Sequence, residues 1–181
     1  MKVMITGPQG SGKTTQARIL ADKLGYCFIG MGDMLRQLAE EDNELGKDVR
    51  EDLSNGHLVD DNLAARLIKE KMITPECRNG FVTDGYPRTF SQHQLFDPQF
   101  DKVFYLKVSN SEAENRLLGR GRADDSVELI RKRLSWYYKE TQPLLDYYEK
   151  SGKLVIIDGE QPIDRITDEI ESILRAEIDN E

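Results

Sequence analysis

GPQGSGKTTQ, residues 7–16, stands between the short β-type run KVMIT (residues 2–6) and the helical pattern ARILADKL (residues 17–24). It matches G-x-x-x-x-G-K-[ST] at Gly7, Gly12, Lys13 and Thr14, in the strand-to-helix setting that the chemistry needs. Glycines let the backbone wrap so that successive N–H groups face phosphate oxygens, and the following helix adds the positive end of its dipole. Gly10, Ser11, Gly12, Lys13, Thr14 and Thr15 are therefore the candidate residues for a nucleoside triphosphate. Lys13 is placed to reach the terminal phosphates, and the hydroxyl of Thr14 or Thr15 to approach phosphate or a Mg²⁺-bound water.

Outward from this loop, short β-type runs alternate with longer helical patterns, the mark of an α/β fold with a parallel sheet covered on both faces. The strands read from the sequence are Lys2 to Thr6, Cys27 to Ile29, Phe81 to Thr83, Val103 to Lys107 and Leu154 to Ile157. In open parallel sheets the ligand crevice lies at the carboxyl ends of such strands. Leu63, Leu67, Ile68 and Met72 fall at helical spacing, as do Ile163, Ile166, Ile170, Ile173 and Leu174, and both sets read as packing faces. Ser126 to Lys150 is a long helical pattern in which Pro143 is expected to cause a kink or break. Trp136, Tyr137, Tyr138, Tyr147 and Tyr148 in that stretch read as packing residues rather than a base-stacking platform.

A chain of 181 residues fits one domain with a packed core. Cys27 and Cys77 show no metal-ligand spacing and are expected to be two reduced thiols of a cytoplasmic protein, without a role. The apolar run Val3 to Ile5 is too short for a signal peptide or a membrane span. The formal net charge of -8 argues against general affinity for nucleic acid. Residues 116–133 nevertheless carry six Lys or Arg against three Asp or Glu, a local +3, which leaves -11 on the remainder. A basic cluster in an acidic chain points to a small, highly anionic ligand. His57 and His93 are in no triad-like setting and read as surface residues. No N-K-x-D guanine motif occurs, which argues against a GTPase switch.

Four further stretches complete a pattern that resembles the adenylate kinases across essentially the whole chain: GDMLR (32–36), GHLVDD (56–61), DGYPRTFSQ (84–92), and RLLGRGRADD (116–125) followed by IRKRL (130–134). The resemblance implies a three-layer P-loop NTPase fold with a five-stranded parallel sheet flanked by helices. It also implies a monophosphate-binding flap over residues 30–59 and a short lid over 119–125, all within one kinase domain spanning 1–181. The implied activity is reversible phosphoryl transfer from MgATP to AMP, giving two ADP, by a cytoplasmic monomer that engages neither nucleic acid nor membrane. The lid arginines stand almost directly before the Asp-Asp pair with neither cysteine nearby, so the lid is expected to be short and without zinc.

The resemblance also assigns roles. Arg36 and Arg88 match positions that hold the AMP phosphate; Arg120, Arg122 and Arg133 match those that bridge the phosphates being exchanged; Arg116 matches one against the ATP adenine. With Lys13, the arginines Arg88, Arg120, Arg122 and Arg133 form the expected catalytic set, and Gln161 joins the ATP side. Met31, His57, Val59, Gly85 and Gln92 complete the AMP side, and Asp84 is expected to meet Mg²⁺ through water. Asp124 and Asp125 are candidates either for pairing with lid arginines or for capping the helix that begins near Ser126. The chemistry agrees, because transfer between two phosphates needs positioning and planar cations rather than a general base.

The sequence departs from the common pattern at a few points. Thr14 stands where glycine is usual, Gln9 where proline or a small residue is usual, and His57 where lysine is common. GMGD (30–33) replaces Ser-Thr-Gly-Asp, so Met31 occupies the place of a threonine that touches the AMP base. A UMP or CMP kinase is the alternative within the class, although Thr89 in the PRT sequence favours AMP over the PRN form. A phosphate-loop NTPase without an acceptor is the alternative outside it.

Overall fold

β1 (Lys2–Thr6) has side chains that alternate between two apolar cores, Met4 facing one and Val3 and Ile5 the other. That is the requirement for the central strand of a sheet covered on both faces. The computed structural model describes the backbone of residues 1–120 and 126–178 and the side chains of 1–119 and 126–177. Five strands, β1, β2 (Cys27–Gly30), β3 (Phe81–Asp84), β4 (Lys102–Lys107) and β5 (Leu154–Asp158), form one sheet in the order β2-β3-β1-β4-β5. Every pairing is parallel. All five runs expected from the sequence are strands, with ends shifted by at most one residue.

α1 (Lys13–Leu24) and α8 (Ile163–Ile178) cover one face, where Leu20, Ile166, Ile170 and Leu174 pack on Val82, Phe104 and Ile157. The other face carries α2 (Met31–Ala39), α3 (Glu44–Ser54), α4 (Asp61–Met72), α5 (Phe90–Leu95) and α7 (Val127–Lys150), with Leu35, Val49, Ile68, Leu144 and Tyr148 in its core. α6 (Asn110–Arg120) joins α7 through a smaller cluster of Ala113, Leu117, Ile130 and Leu134. Of the helical spacings read at 63–72 and 163–174, Ile68 of α4 and Ile166, Ile170 and Leu174 of α8 are buried, Leu63, Leu67, Met72 and Ile173 pack partly buried beside them, and Ile163 is exposed. Residues 31–54, within the range assigned to the flap, are the α2–α3 pair; residues 121–125 of the expected lid lie outside the described residues.

The helix starts follow local chemistry. Asn43, Asp60, Thr89 and Ser126 each accept a hydrogen bond from a backbone N–H in the first turn of α3, α4, α5 and α7. Ser126 itself therefore fills the capping role at α7 that Asp124 and Asp125 were candidates for.

Three expectations are corrected. Cys27 and Cys77 are a disulfide, not two thiols, with Cα atoms 4.8 Å apart. The β2–β3 pairing sets Cys27 opposite Phe81, and the 3₁₀ turn Pro75–Cys77 leads into β3, so the fold closes a fifty-residue separation. His93 is buried, packed against Tyr147 and Tyr148 with Asp97 Oδ1 3.7 Å from its Nδ1. α7 runs through Pro143 as one helix, so of the kink or break expected there the break does not occur. Pro143 and Lys139, whose carbonyl loses its helical partner, are both exposed, on the side of the helix open to water, while Leu144, Leu145 and Tyr148 are buried.

This geometry predicts that Pro143→Ala stabilises the chain. A proline in a helix interior costs about 3 kcal/mol relative to alanine, whereas the extra freedom alanine gives the unfolded chain returns only about 1 kcal/mol. The expected outcome is a net gain of about 2 kcal/mol, read as a higher urea midpoint at unchanged slope; a lowered midpoint contradicts it.

Candidate active site

The loop after β1 leaves the sheet where the neighbours of β1 diverge, β3 on one side and β4 on the other, which is the switch point that opens a crevice. Gly10 and Gly12 have φ of 85° and 86°, a left-handed backbone that only glycine adopts without strain. A Cβ on Gly10 would also lie 2.6 Å from the Ala113 carbonyl oxygen, so this glycine lets α6 seat against the loop. Gly12 caps α1 with no side-chain hydrogen bond, and the first turn of α1 holds no acidic residue. Its amide groups and dipole end favour an anion. Ser11 N–H donates to the Pro8 carbonyl (3.1 Å) and Lys13 Nζ to the same oxygen (3.3 Å).

Asp84 closes β3, with Ile5 and Gly30 as its sheet neighbours. Thr14 donates its hydroxyl to Asp84 Oδ2. The other carboxylate oxygen, Oδ1, is buried with no protein partner, as are Ser11 Oγ and Gln9 Oε1 in the phosphate loop. Buried polar atoms are nearly always satisfied, so such a group at the crevice marks where polar ligands belong.

Opposite the loop, three arginines converge. Burial pulls the Arg88 guanidinium below its ordinary value; Asp84 opposes that effect, and the nearby cations Arg133 and Arg36 add to it. Arg88 is held by its own turn: Nε donates to the Gly85 carbonyl (3.1 Å), the backbone N–H donates to Gln92 Oε1 (2.8 Å), and Thr141 donates to the Arg88 carbonyl (2.8 Å). Arg36 donates to Asp33 Oδ1 (2.5 Å). Arg133 projects from α7 toward the end of α3, 3.2 Å from where a Cβ on Gly56 would stand. Clustered like charges held from behind in this way present a strong phosphate site.

Beyond the arginines lies an apolar pocket. Met31, Val59 and Gln92 are buried along it, and Trp136, Tyr137 and Thr141 line it from α7. Tyr137 sits beside Thr6, and burial holds its hydroxyl protonated far above the ordinary phenol range. One face of Gln92 is already committed, because its amide oxygen accepts from Arg88 N–H.

The structure brings Lys13, Thr14, Met31, Arg36, His57, Val59, Asp84, Gly85, Arg88, Gln92 and Arg133 around one crevice. Arg116 and Gln161 lie apart from it: Arg116 donates to Glu112 (2.6 Å) and to the Gly159 carbonyl (2.9 Å), and Gln161 reaches Glu169 (3.3 Å). The Arg120 side chain, and Arg122, Asp124 and Asp125 entirely, lie outside the described residues.

Other residues of the site were not identified from sequence. Trp136, Tyr137 and Thr141, read as packing or passed over, share the crevice face of α7 with Arg133, and helical spacing was the available signal: Trp136 and Tyr137 follow that arginine by three and four residues, and Thr141 follows Tyr137 by four. Lys132, unassigned by the sequence pattern, donates to the Asn55 carbonyl (3.2 Å) and lies 3.2 Å from His57 Nε2, tying α7 to the end of α3. Nothing in the local sequence announces that contact.

Among the described residues no group of three or more His, Cys, Asp or Glu is placed to hold a metal ion, and no helix is long and apolar enough to cross a membrane. The family model described as adenylate kinase matches residues 5–153. Proteins named adenylate kinase from Brucella abortus (strain S19), Brucella melitensis biotype 2 (strain ATCC 23457) and Brucella suis biovar 1 (strain 1330) are each 37% identical over 191 residues, covering 96% of this chain and 98% of theirs. A phosphate loop facing a set of converging arginines, in a chain with relatives that similar over nearly its whole length, belongs to the adenylate kinase family of nucleoside monophosphate kinases.

Proposed function

We propose that the chain transfers the terminal phosphoryl group of ATP to AMP, reversibly, giving two ADP. The observation that carries this reading is the placement of Arg36, Arg88 and Arg133 across one crevice from the phosphate loop. A nucleotide hydrolase needs cations for one phosphate chain; this crevice offers anion sites at two ends, with an apolar pocket beyond the second.

In the transfer, the bond between the terminal phosphorus and the β-phosphate oxygen breaks while a bond forms to an AMP phosphate oxygen. No proton need move, because that nucleophile is already anionic. The loop amides and Lys13 hold the donor phosphates. Arg36 and Arg88 hold the AMP phosphate, and Arg133, from α7, lies between the two groups. Catalysis is then alignment plus stabilisation of charge spreading over the transferred group, in a site from which water is excluded. Arg120, the last residue of α6, and Arg122 supply further charge from a short lid over 119–125, as the family resemblance implies, and residues 30–59 act as the AMP flap. Arg116 and Gln161 serve the ATP side, near the Gly159 loop.

Asp84 fits the role of holding hydrated Mg²⁺: one of its oxygens is set by Thr14 and the other is buried without a protein partner. Mg²⁺ at that place supplies charge neutralisation on the donor phosphates. Zinc is not part of the proposal, since residues 119–125 contain neither Cys nor His. A cytoplasmic monomer that binds neither nucleic acid nor membrane is the setting proposed.

AMP is the proposed acceptor, with Met31 lying against the adenine ring where a threonine is usual. Its flexible, polarizable thioether suits an aromatic face, and losing one polar contact to the base costs only about 1 kcal/mol. The test is a panel of AMP, CMP, UMP, GMP and dTMP with MgATP, on the natural chain and on Met31→Thr. The expected result is AMP preference in both, with equal or modestly better AMP turnover in the variant. Preference for CMP or UMP in the natural chain, moved toward AMP by Met31→Thr, overturns the AMP assignment.

Lys13→Ala is expected to lower turnover by about two orders of magnitude or more, since its charge matters most as charge shifts between phosphates. The chain's single tryptophan, Trp136, lines the crevice, so its fluorescence gives a separate reading of AMP binding. That response should persist in Lys13→Ala; near-normal turnover excludes the role given to Lys13.

A further inference from the structure

Arg36 does not stand alone on its helix. Asp33, one turn earlier on α2, accepts from Arg36 at Oδ1 (2.5 Å) and from Arg18 of α1 at Oδ2. Arg18 is held from a second side, its guanidinium carbon 4.3 Å from the centroid of the Phe28 ring. The Phe28 ring in turn leans over Gly30: a Cβ there would lie 2.7 Å from Phe28 Cζ and 3.0 Å from Asp33 Oδ2. The glycine that replaces the usual serine in GMGD thus makes room for both partners of Arg18.

We propose that Arg18 is a positioning residue for AMP: through Asp33 it fixes Arg36, and by sharing that carboxylate it leaves Arg36 a net cation for the phosphate. The inference rests on the adenylate kinase reading and adds a residue to its acceptor site. Charge arithmetic gives the reason. Asp33 with Arg36 alone is a neutral pair, so an arriving phosphate would have to compete with a carboxylate for the guanidinium. With Arg18 included the trio carries +1, and the carboxylate's second oxygen is engaged elsewhere. The geometric effect acts in the same direction, since a carboxylate gripped from both sides leaves the Arg36 fork in one orientation.

Exposed ion pairs are weak individually, and Arg18, Asp33 and Arg36 are each about half exposed. The stacking on Phe28 is what distinguishes this pair from a transient one, because Arg18 has already lost freedom before it meets Asp33.

The test is steady-state kinetics of the whole chain, varying AMP and ATP separately. Arg18→Ala, on an exposed face of α1, is expected to raise the KM for AMP about fivefold, with kcat and the KM for ATP changed less than twofold. Arg18→Lys should restore most of the loss, Arg18→Gln little of it, and the gap between Arg18→Ala and the natural chain should narrow at high salt. Gly30→Ala should raise the AMP KM as well, because its Cβ displaces Phe28 or Asp33. An unchanged AMP KM in Arg18→Ala, or equal rises for AMP and ATP, overturns the inference while leaving the activity intact. Absence of AMP turnover in the natural chain overturns the activity reading itself.

Discussion

The pairing of β1 with β3, in the register that sets Ile5 beside Asp84, is the constraint on which the rest of the site depends. It brings the carboxylate at the end of β3 beside the start of the phosphate loop, close enough for Thr14 to bond to Asp84 across seventy residues of sequence. The same strand, through β2, sets Gly30 opposite Asp84 and so launches α2 and its arginine from the same edge of the sheet. A shift of one residue in either pairing would turn Asp84 toward the other face of the sheet and separate that carboxylate from the phosphate loop. The two apolar cores prevent this, because the slip would also turn Phe81 and Val82 out of their packing.

Around that frame the protein solves a charge problem. Arg36, Arg88 and Arg133 repel one another, and burial adds to the strain on Arg88. The backbone carbonyl of Gly85, the carboxylate of Asp84 and the side chain of Thr141 hold Arg88, and the carboxylate of Asp33 holds Arg36. The arrangement is costly when alone and favourable when phosphate arrives, which is the property a phosphoryl-transfer site needs. The amide end of α1, whose own first turn holds no acidic residue, faces the crevice beside Asp84.

The α2–α3 segment is tied to this centre from two directions. Asp33 links it to α1 through Arg18, and the Asn55–His57 turn meets Lys132 and Arg133 on α7. Both ties are polar and largely exposed, and they add to the apolar packing of Leu35 and Val49 in the core on that face of the sheet.

Much of the molecule was legible in the sequence because the signals were local. Strand runs, helical stripes and the glycine-rich loop are each written within a few residues, and the structure realises all five strands and both named helical faces. The spacing of GPQGSGKT, DGYPR and the arginines carried the class of chemistry, since phosphate recognition demands those residue types in any surroundings. Other features were settled only in three dimensions. Whether Cys27 met Cys77, whether His93 was buried, and whether α7 survived Pro143 depended on which surfaces faced each other. The joining of Arg18 to Arg36 through Asp33, and the turning of Trp136 and Tyr137 toward the crevice, likewise required α1, α2 and α7 to be assembled. The sequence by itself determined the elements and the phosphate chemistry, because backbone propensity and side-chain type act over a few residues. Only the tertiary structure decided which side chains share a site, because burial and charge pairing act across distances in space that the order of the chain does not encode locally.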